Sequence, residues 1–306
     1  MKFIKNKSFK LDYLFNSLNQ EVGNFLLLNQ RQRHFFHIVS PSPWPFVVSC
    51  CVLGLLMSFV AYLHFFPYAG YSVLLAFLFL LIVIFFWFKD IIVESWLSHT
   101  YKIQDCILDS FILFIISEVM FFFSFFWGYF YSSISPTLWI FNTWPPLGIT
   151  TISAFQLPLL NTALLLFSGW TVTWAHKAIV EGRKSHLIKG LYFTLTLSFL
   201  FTAIQVIEYR YACFSIYDGV YGSCFFMLTG FHGFHVILGT IMLLICLIRS
   251  YLYNFSYSNH VGFIVSAWYW HFVDVVWIFL FIFVYWWGNV SVDLNLIFES
   301  LIDSKL

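Results

Sequence analysis

The chain has 306 residues, of which 61% are hydrophobic and 9% are Asp, Glu, Lys or Arg, with 15 basic against 14 acidic side chains. Soluble domains carry about 25% charged residues, and a globule of this length would need far more polar skin than this to cover its core. The composition excludes a soluble enzyme, a disordered chain and a nucleic-acid binder with a basic stripe, and it fits seven membrane helices of ~20 apolar residues each.

In chain order, residues 1–45 form a polar extension too short for a second core. Its start, Met1-Lys-Phe-Ile-Lys5, is basic but lacks a continuous apolar stretch and a small-residue cleavage motif. Asp12 and Glu21 weaken a transit-peptide reading, so the chain is expected to reach its membrane by its own spans. Pro41-Ser-Pro-Trp-Pro45 is a rigid entry into the first span. Apolar runs then predict helices over 46–66, 71–88, 110–131, 158–176, 190–209, 224–248 and 263–288. The short link from Pro67 to Gly70 implies a tight hairpin of the first two, and Pro136, Pro145 and Pro146 mark a loop after the third. Residues 289–306 form a polar tail. The expected fold is all-α and polytopic, with a membrane domain over 46–288.

The charges then set an orientation. Lys2, Lys5, Lys7, Lys10, Arg31 and Arg33 precede span one, Lys89 and Lys102 follow span two, Lys177, Arg183, Lys184 and Lys189 follow span four, and Arg249 follows span six. All of these fall on one side, and only Arg210 and Lys305 fall on the other. The excess of Lys and Arg places the N-terminus on the cytoplasm-equivalent side, which is the matrix in a mitochondrion, and seven spans place the C-terminus opposite. Hydropathy does not repeat between the two halves, which disfavours an inverted-repeat carrier of small molecules. The six cysteines form no C-x-x-C or C-x-x-x-C pair, so no zinc or copper–thiolate site has local support. The 41 phenylalanines fit a T-rich coding sequence, as in many organelle genomes.

Few polar side chains lie within the spans. Glu118 sits in the middle of span three, where an ionised carboxylate costs several kcal/mol unless it faces protein, a lipid head group or water; it reads either as a proton-path or lipid-facing acid, or as a hydrogen-bonding partner of a neighbouring helix. His232 and His235, at i and i+3 in Thr229-Gly-Phe-His-Gly-Phe-His-Val236, share one face of span six. With His271, Asp274 and Glu208 they form either a haem or metal site or a polar seam between helices, with Gly230 and Gly233 permitting close approach. Lys89, Asp90, Glu94 and His99 cluster past span two, and Arg249 and His260 flank span six on the same side. They read either as solvated interface charge or as phospholipid head-group ligands. Trp44, Trp144, Trp268, Trp270, Trp286 and Trp287 read as an aromatic belt at the span ends.

Together these motifs resemble the cytochrome c oxidase subunit III family. The resemblance is carried by His37-Ile-Val-Ser-Pro-Ser-Pro-Trp-Pro45, Ser117-Glu-Val-Met-Phe-Phe122, Phe126-Trp127, Ser132-Ser133, Trp144-Pro-Pro-Leu-Gly148, Pro158-Leu-Leu-Asn-Thr162, Ser168-Gly169, Thr173-Trp-Ala-His176, Glu208-Tyr209, Asp218-Gly-Val-Tyr-Gly-Ser223, Thr229-Gly-Phe-His-Gly233, Trp268-Tyr-Trp-His-Phe-Val-Asp-Val-Val-Trp277 and Tyr285-Trp-Trp-Gly288. It spans roughly residues 34–288, in the family's order and spacing.

The resemblance implies a two-helix hairpin and a five-helix bundle enclosing a V-shaped cleft that holds structural phospholipids (cardiolipin, phosphatidylethanolamine or phosphatidylglycerol). It implies a non-catalytic subunit of respiratory complex IV that binds no haem or copper itself. Haem a and copper then belong to partner subunits I and II. The implied role is to stabilise subunit I and its proton uptake, with Glu118 as the proton-uptake acid and Glu94, His99, Arg249, Lys89 and Trp87 at the lipids. The implied place is the mitochondrial inner membrane, or else a bacterial plasma membrane. Further partners are accessory or lineage-specific complex IV subunits, expected at the two terminal extensions, and a respiratory supercomplex.

Ser40, Phe88-Lys89, Lys177 and Ile264 depart from the family's Asp, Trp-Arg, second His and Glu, and Lys89 lacks the planar fork of an Arg. Two alternatives remain. A quinol oxidase subunit III resembles this chain but typically lacks the first two helices, and a free-standing haem-binding or proton-conducting protein would use His232, His235, His271 and Asp274.

Overall fold

The computed structural model describes residues 41–97, 99–257 and 259–289. The N-terminal extension up to residue 40 and the tail from residue 290 lie outside them, and so do the expectations for the side and partners of each terminus. The described residues carry seven long helices: α1 Trp44–Leu63, α2 Ala69–Leu97, α3 Tyr101–Ile134, α4 Leu157–Val180, α5 Lys184–Tyr211, α6 Gly219–Tyr251 and α7 Val261–Leu280. The chain is a polytopic helical membrane protein.

Six of the seven helices are long and apolar enough to cross a membrane by composition alone. The exception is α4, which is 24 residues long but carries Asn161, Ser168, Thr171, Thr173 and His176. Its polar groups face protein instead of lipid. Asn161 Nδ2 donates to Gln205 Oε1 of α5, Thr171 Oγ1 meets Thr194 Oγ1 of α5 at 2.7 Å, and Ser168 Oγ accepts from Trp270 Nε1 of α7 at 2.9 Å. α2, α3, α5 and α6 all overrun their apolar stretches. Charges end a hydrophobic run, but only Gly, Pro or a cap ends a helix. The 34 residues of α3 rise about 51 Å, against ~30 Å of hydrocarbon, so its ends pass through the head-group layers.

The chain divides into two compact units, Met1–Cys106 and Ile107–Leu306. In the first, α1 and α2 form the expected hairpin. Pro lies in the first turn of α1, where its missing N–H costs nothing. Phe65 and Tyr68 take left-handed conformations in the turn, which reverses the chain between α1 and α2. At the other end Trp44 Nε1 donates to Asp90 Oδ2 at 2.6 Å, and the Trp44 and Phe86 rings stack at 6.1 Å. Trp44 is therefore a clasp between the two helices as well as an interfacial aromatic. Within this unit few described side chains are buried, among them Cys51, Ala69 and Val83. Both helices present apolar side chains outward, as suits a hydrocarbon solvent.

In the second unit the rest of α3 joins α4–α7 around a core of Trp270, Trp277, Tyr129, Tyr221, Tyr285, Phe201 and Phe225. Aromatic N–H and O–H groups inside it find partners on other helices: Trp277 Nε1 donates to Thr162 Oγ1 at 3.0 Å, and Tyr209 shares a 2.6 Å bond with Thr229. Ser198 and Thr240 join α5 to α6 in the same way. Trp270 is fully buried, which corrects its sequence-based place in the aromatic belt. It lies well inside α7, and Gly239 of α6 makes room for its ring; a Cβ there would sit 2.9 Å from Trp270 Cε3.

The last predicted span is present as Val261–Asn289, with a change of helix type inside it. Beyond Leu280 the backbone widens into a π-helical turn, Phe281–Trp286, followed by a 3₁₀ turn, Trp287–Asn289. Within it the Phe283 carbonyl accepts Tyr129 Oη–H at 3.2 Å. An unbroken apolar run carries no sign of such a turn.

Small residues set the closest helix approach. A Cβ on Gly190 of α5 would sit 2.9 Å from Ala175 Cβ and 3.1 Å from the Thr171 carbonyl oxygen of α4. The latter is backbone and has no rotamer by which to retreat. Gly190→Val is therefore expected to push α4 and α5 apart and destabilise the folded protein by ~1–3 kcal/mol, read as a lower thermal midpoint and lower yield of the purified protein.

Candidate functional site

Glu118 lies on the face of α3 that turns towards α6. One turn further, Phe121 packs edge-on against Phe231 at 5.0 Å and Phe122 against His235 at 5.0 Å. These contacts fix the spacing at which Glu118 Oε2 reaches His235 Nε2, 2.9 Å away. The His235 ring is held from its other nitrogen, because Nδ1 lies 2.7 Å from the Phe231 carbonyl oxygen, one turn back on α6. Tyr269 and Phe272 of α7 cover it further. The imidazole is 8% exposed and the carboxyl 23%, so the acid sits at the rim of the bundle and the base behind it.

The hydrogen-bond roles follow from the acceptors. A carbonyl oxygen has no proton to give, so His235 Nδ1 must be the donor to Phe231. In a neutral ring Nε2 is then the acceptor, and it faces a carboxyl oxygen. The 2.9 Å contact therefore contains a single proton, held either as a neutral acid donating to a neutral imidazole or as an imidazolium donating to a carboxylate. Either way the pair is a seat for one proton beside the lipid-facing surface of α3. Nearby Met120 and Phe123 are 59% and 60% exposed.

The other predicted polar residues do not join this pair. His232 is buried separately, with Nε2 3.2 Å from the Val273 carbonyl oxygen and its ring between Phe201 and Trp277. Glu208 ends a chain of side chains: Asn161 Nδ2 donates to Gln205 Oε1, Gln205 Nε2 donates to Glu208 Oε1, and Tyr285 Oη–H donates to the same carboxyl oxygen. His271 and Asp274 stand together at 3.9 Å, beside Thr173. The five-residue seam is thus three distinct contacts plus the pairing with Glu118. Among the described residues no group of three His, Cys, Asp or Glu is placed to hold a metal ion.

Sequence reasoning placed Glu118 and His235 in different groups because a sequence separation of 117 hides their adjacency. Tyr285, Asn161 and Thr173 stand in the motifs that carry the resemblance but were given no role of their own, and Gln205, a polar atom inside an apolar run, was not singled out.

The lipid candidates fall in both units. Trp87, Lys89 and Glu94 lie on the last turns of α2 with His99 just beyond, and the His99 carbonyl accepts Gln104 Nε2 at 3.3 Å. Arg249 lies in the last turn of α6. Its guanidinium carbon stands 4.6 Å from the Phe255 ring centroid, and Nη1 lies so close to Gly262 that a Cβ there would be 2.6 Å away. Its buried Nε has no hydrogen-bond partner among the described residues. A planar donor group pinned on one face suits a phosphate oxygen.

Comparison with known proteins gives a consistent result. The family model described as cytochrome c oxidase subunit III matches residues 34–289. "Cytochrome c oxidase subunit 3" of Pylaiella littoralis is 52% identical over 85% of this chain and 97% of its own length. The proteins of the same name from Chondrus crispus and Triticum aestivum are each 48% identical, over 84% and 85% of this chain and 96% and 99% of their own lengths.

The pairing energy of the site is measurable. A double-mutant cycle of Glu118→Gln and His235→Phe, followed by thermal inactivation of the assembled complex, is expected to give a favourable coupling of about 0.5–2 kcal/mol. The corresponding cycle of Glu118→Gln with His232→Phe is expected to be additive.

Proposed function

Because the chain belongs to the cytochrome c oxidase subunit III family, and is thereby a subunit of the oxidase complex, we propose that it serves the complex as a non-catalytic proton-handling and lipid-holding subunit. Electron transfer to oxygen then takes place on haem a and copper in subunits I and II. The observation that carries this reading is the Glu118–His235 contact at the rim of the second unit. An acid–base pair that holds one proton at a membrane-facing surface is suited to receive protons from the aqueous phase and pass them to a neighbouring subunit. The aromatic cover from Phe122, Tyr269 and Phe272 fixes the imidazole, so the proton moves without reorganisation of the base. In the carboxyl only one oxygen is committed to His235.

The second part of the reading is lipid retention. Arg249, held by Phe255 and Gly262, supplies the phosphate contact in the second unit. Lys89, Glu94, His99 and Trp87 supply interface groups in the first. Cardiolipin, phosphatidylethanolamine or phosphatidylglycerol would be the lipids held at these groups, and would hold subunit I in place. The one-sided basic residues support an N-terminus in the matrix and residence in the mitochondrial inner membrane. The terminal extensions are the candidate contacts for accessory subunits and for a supercomplex. The presence of α1 and α2 favours a cytochrome c partner over quinol.

Replacing Glu118 by Gln in the assembled oxidase tests the reading. The isostere keeps the volume and removes the proton. Slower proton uptake at turnover and a shorter lifetime before inactivation are expected, with haem and copper content unchanged. Wild-type turnover, pumping and lifetime together would remove the proton role.

A further inference from the structure

Away from Glu118, a recess of about 130 Å³ opens between the C-terminal half of α4 and the N-terminal half of α7. Its wall is mixed. Val172, Ile264, Ala267 and Trp268 are apolar, but Thr173, His176 and His271 bring a hydroxyl and two imidazoles to the same space. At its outer end stands His260, whose ring centroid lies 5.5 Å from that of His176. His260 Nδ1 lies 3.2 Å from the Ser256 carbonyl oxygen and donates to it, so in the neutral ring Nε2 is an acceptor. Burial holds this imidazole below its usual range, against the opposing pull of its backbone bonds at Ser256 and Tyr257.

At the inner end the polar line continues. The Thr173 hydroxyl donates to the Gly169 carbonyl at 2.9 Å and stands 3.4 Å from His271 Nε2. His271 Nδ1 stands 3.9 Å from Asp274 Oδ2. That is too long for a direct hydrogen bond and close enough for a single water to touch both groups. Asp274 is 7% exposed, and its buried Oδ1 has no hydrogen-bond partner among the described residues. The carboxyl packs directly against Gly169 of α4, where a Cβ would meet Asp274 Oδ2 at 2.6 Å and His271 Nδ1 at 3.6 Å, so that His271, on the wall of the recess, is the group next to the acid. From α6, His232 is committed to the Val273 carbonyl, Cys246 to Ser266, and Arg249 lies against Gly262 at the start of α7. From the start of α7 at Val261 to Asp274 the helix rises about 20 Å, so the acid lies deep in the span.

A buried carboxyl with an unpartnered oxygen is costly unless water reaches it. A recess of this size has room for several waters, since one needs only ~10–15 Å³ of such volume, and Thr173, His176 and His271 supply polar partners along its otherwise apolar wall. We propose that the recess between α4 and α7 is a water-filled inlet that runs from His260 past Thr173, His176 and His271 to the carboxyl of Asp274. It makes Asp274 a second intramembrane acid in contact with the aqueous phase, on a different pair of helices from Glu118. Its ligand is a short file of water, able to carry a proton.

Thiol accessibility in the assembled oxidase tests this. Single substitutions Thr173→Cys, at the middle of the inlet, and His271→Cys, beside Asp274, are treated with a small cationic methanethiosulfonate. Labelling is followed by peptide mass spectrometry, which separates the new thiols from the six native cysteines. Phe167→Cys, on the outward side of α4 and 58% exposed, is the lipid-facing control. Only a hydrated thiol ionises and reacts. Both inlet positions are therefore expected to label at least about tenfold faster than the control, a difference of ~1.4 kcal/mol in access. If His271→Cys prevents assembly, Ala267→Cys, one turn earlier on the same wall, takes its place. Labelling of either inner position no faster than Phe167→Cys would show that water does not reach Asp274 and would overturn the proposal.

Discussion

A polar side chain inside hydrocarbon has to find a partner, and where its own helix does not supply one the bond ties two helices together. Hydroxyls such as those of Ser117, Ser124 and Thr196 turn back to a carbonyl of their own helix, and a smaller set of side chains reaches across. Glu118 ties α3 to α6, Ser168 and Thr162 tie α4 to α7, Thr194 ties α5 to α4, and Tyr285 ties the segment after α7 to α5 through Glu208. Lipid supplies no hydrophobic drive between helices, so these bonds and the close packing at Gly190 and Gly239 specify which faces meet.

The same constraint separates structural from functional polar groups. His232, Ser168 and Thr162 spend their bonds on fixed partners within the core. The Glu118–His235 pair differs because the contact needs a proton whose owner is not fixed by the geometry, and because the carboxyl reaches the rim of the bundle. Asp274 differs because its buried Oδ1 lacks a protein partner among the described residues, as does Oε2 of Glu208. In these places the bundle holds an ionisable group that its packing does not fully satisfy.

Much of this was legible in the sequence. Apolar runs gave seven helices in the right order, and Glu118 stood out as a mid-span acid. The departures have physical causes. Helix ends were set too short in α2 and α3 because a charge such as Lys89 or Asp105 ends a hydrophobic run without ending the backbone ladder. Trp270 was placed at the interface because a Trp near a span end is usually interfacial, and only the tertiary contact with Ser168 and Gly239 shows that it is core. The π-helical turn at Phe281–Trp286 is a tertiary accommodation to Tyr129 and has no local signal. The pairing of Glu118 with His235 was out of reach for a related reason: periodicity places a residue on a face but does not say which helix that face will meet.

The central claim is that His235 holds the proton of Glu118 in a state from which it is delivered. Time-resolved proton uptake by the assembled oxidase carrying His235→Phe, with Glu118 left in place, tests it most directly. The account predicts slowed uptake while electron entry from cytochrome c keeps its wild-type rate. Uptake at the wild-type rate in that variant would contradict it.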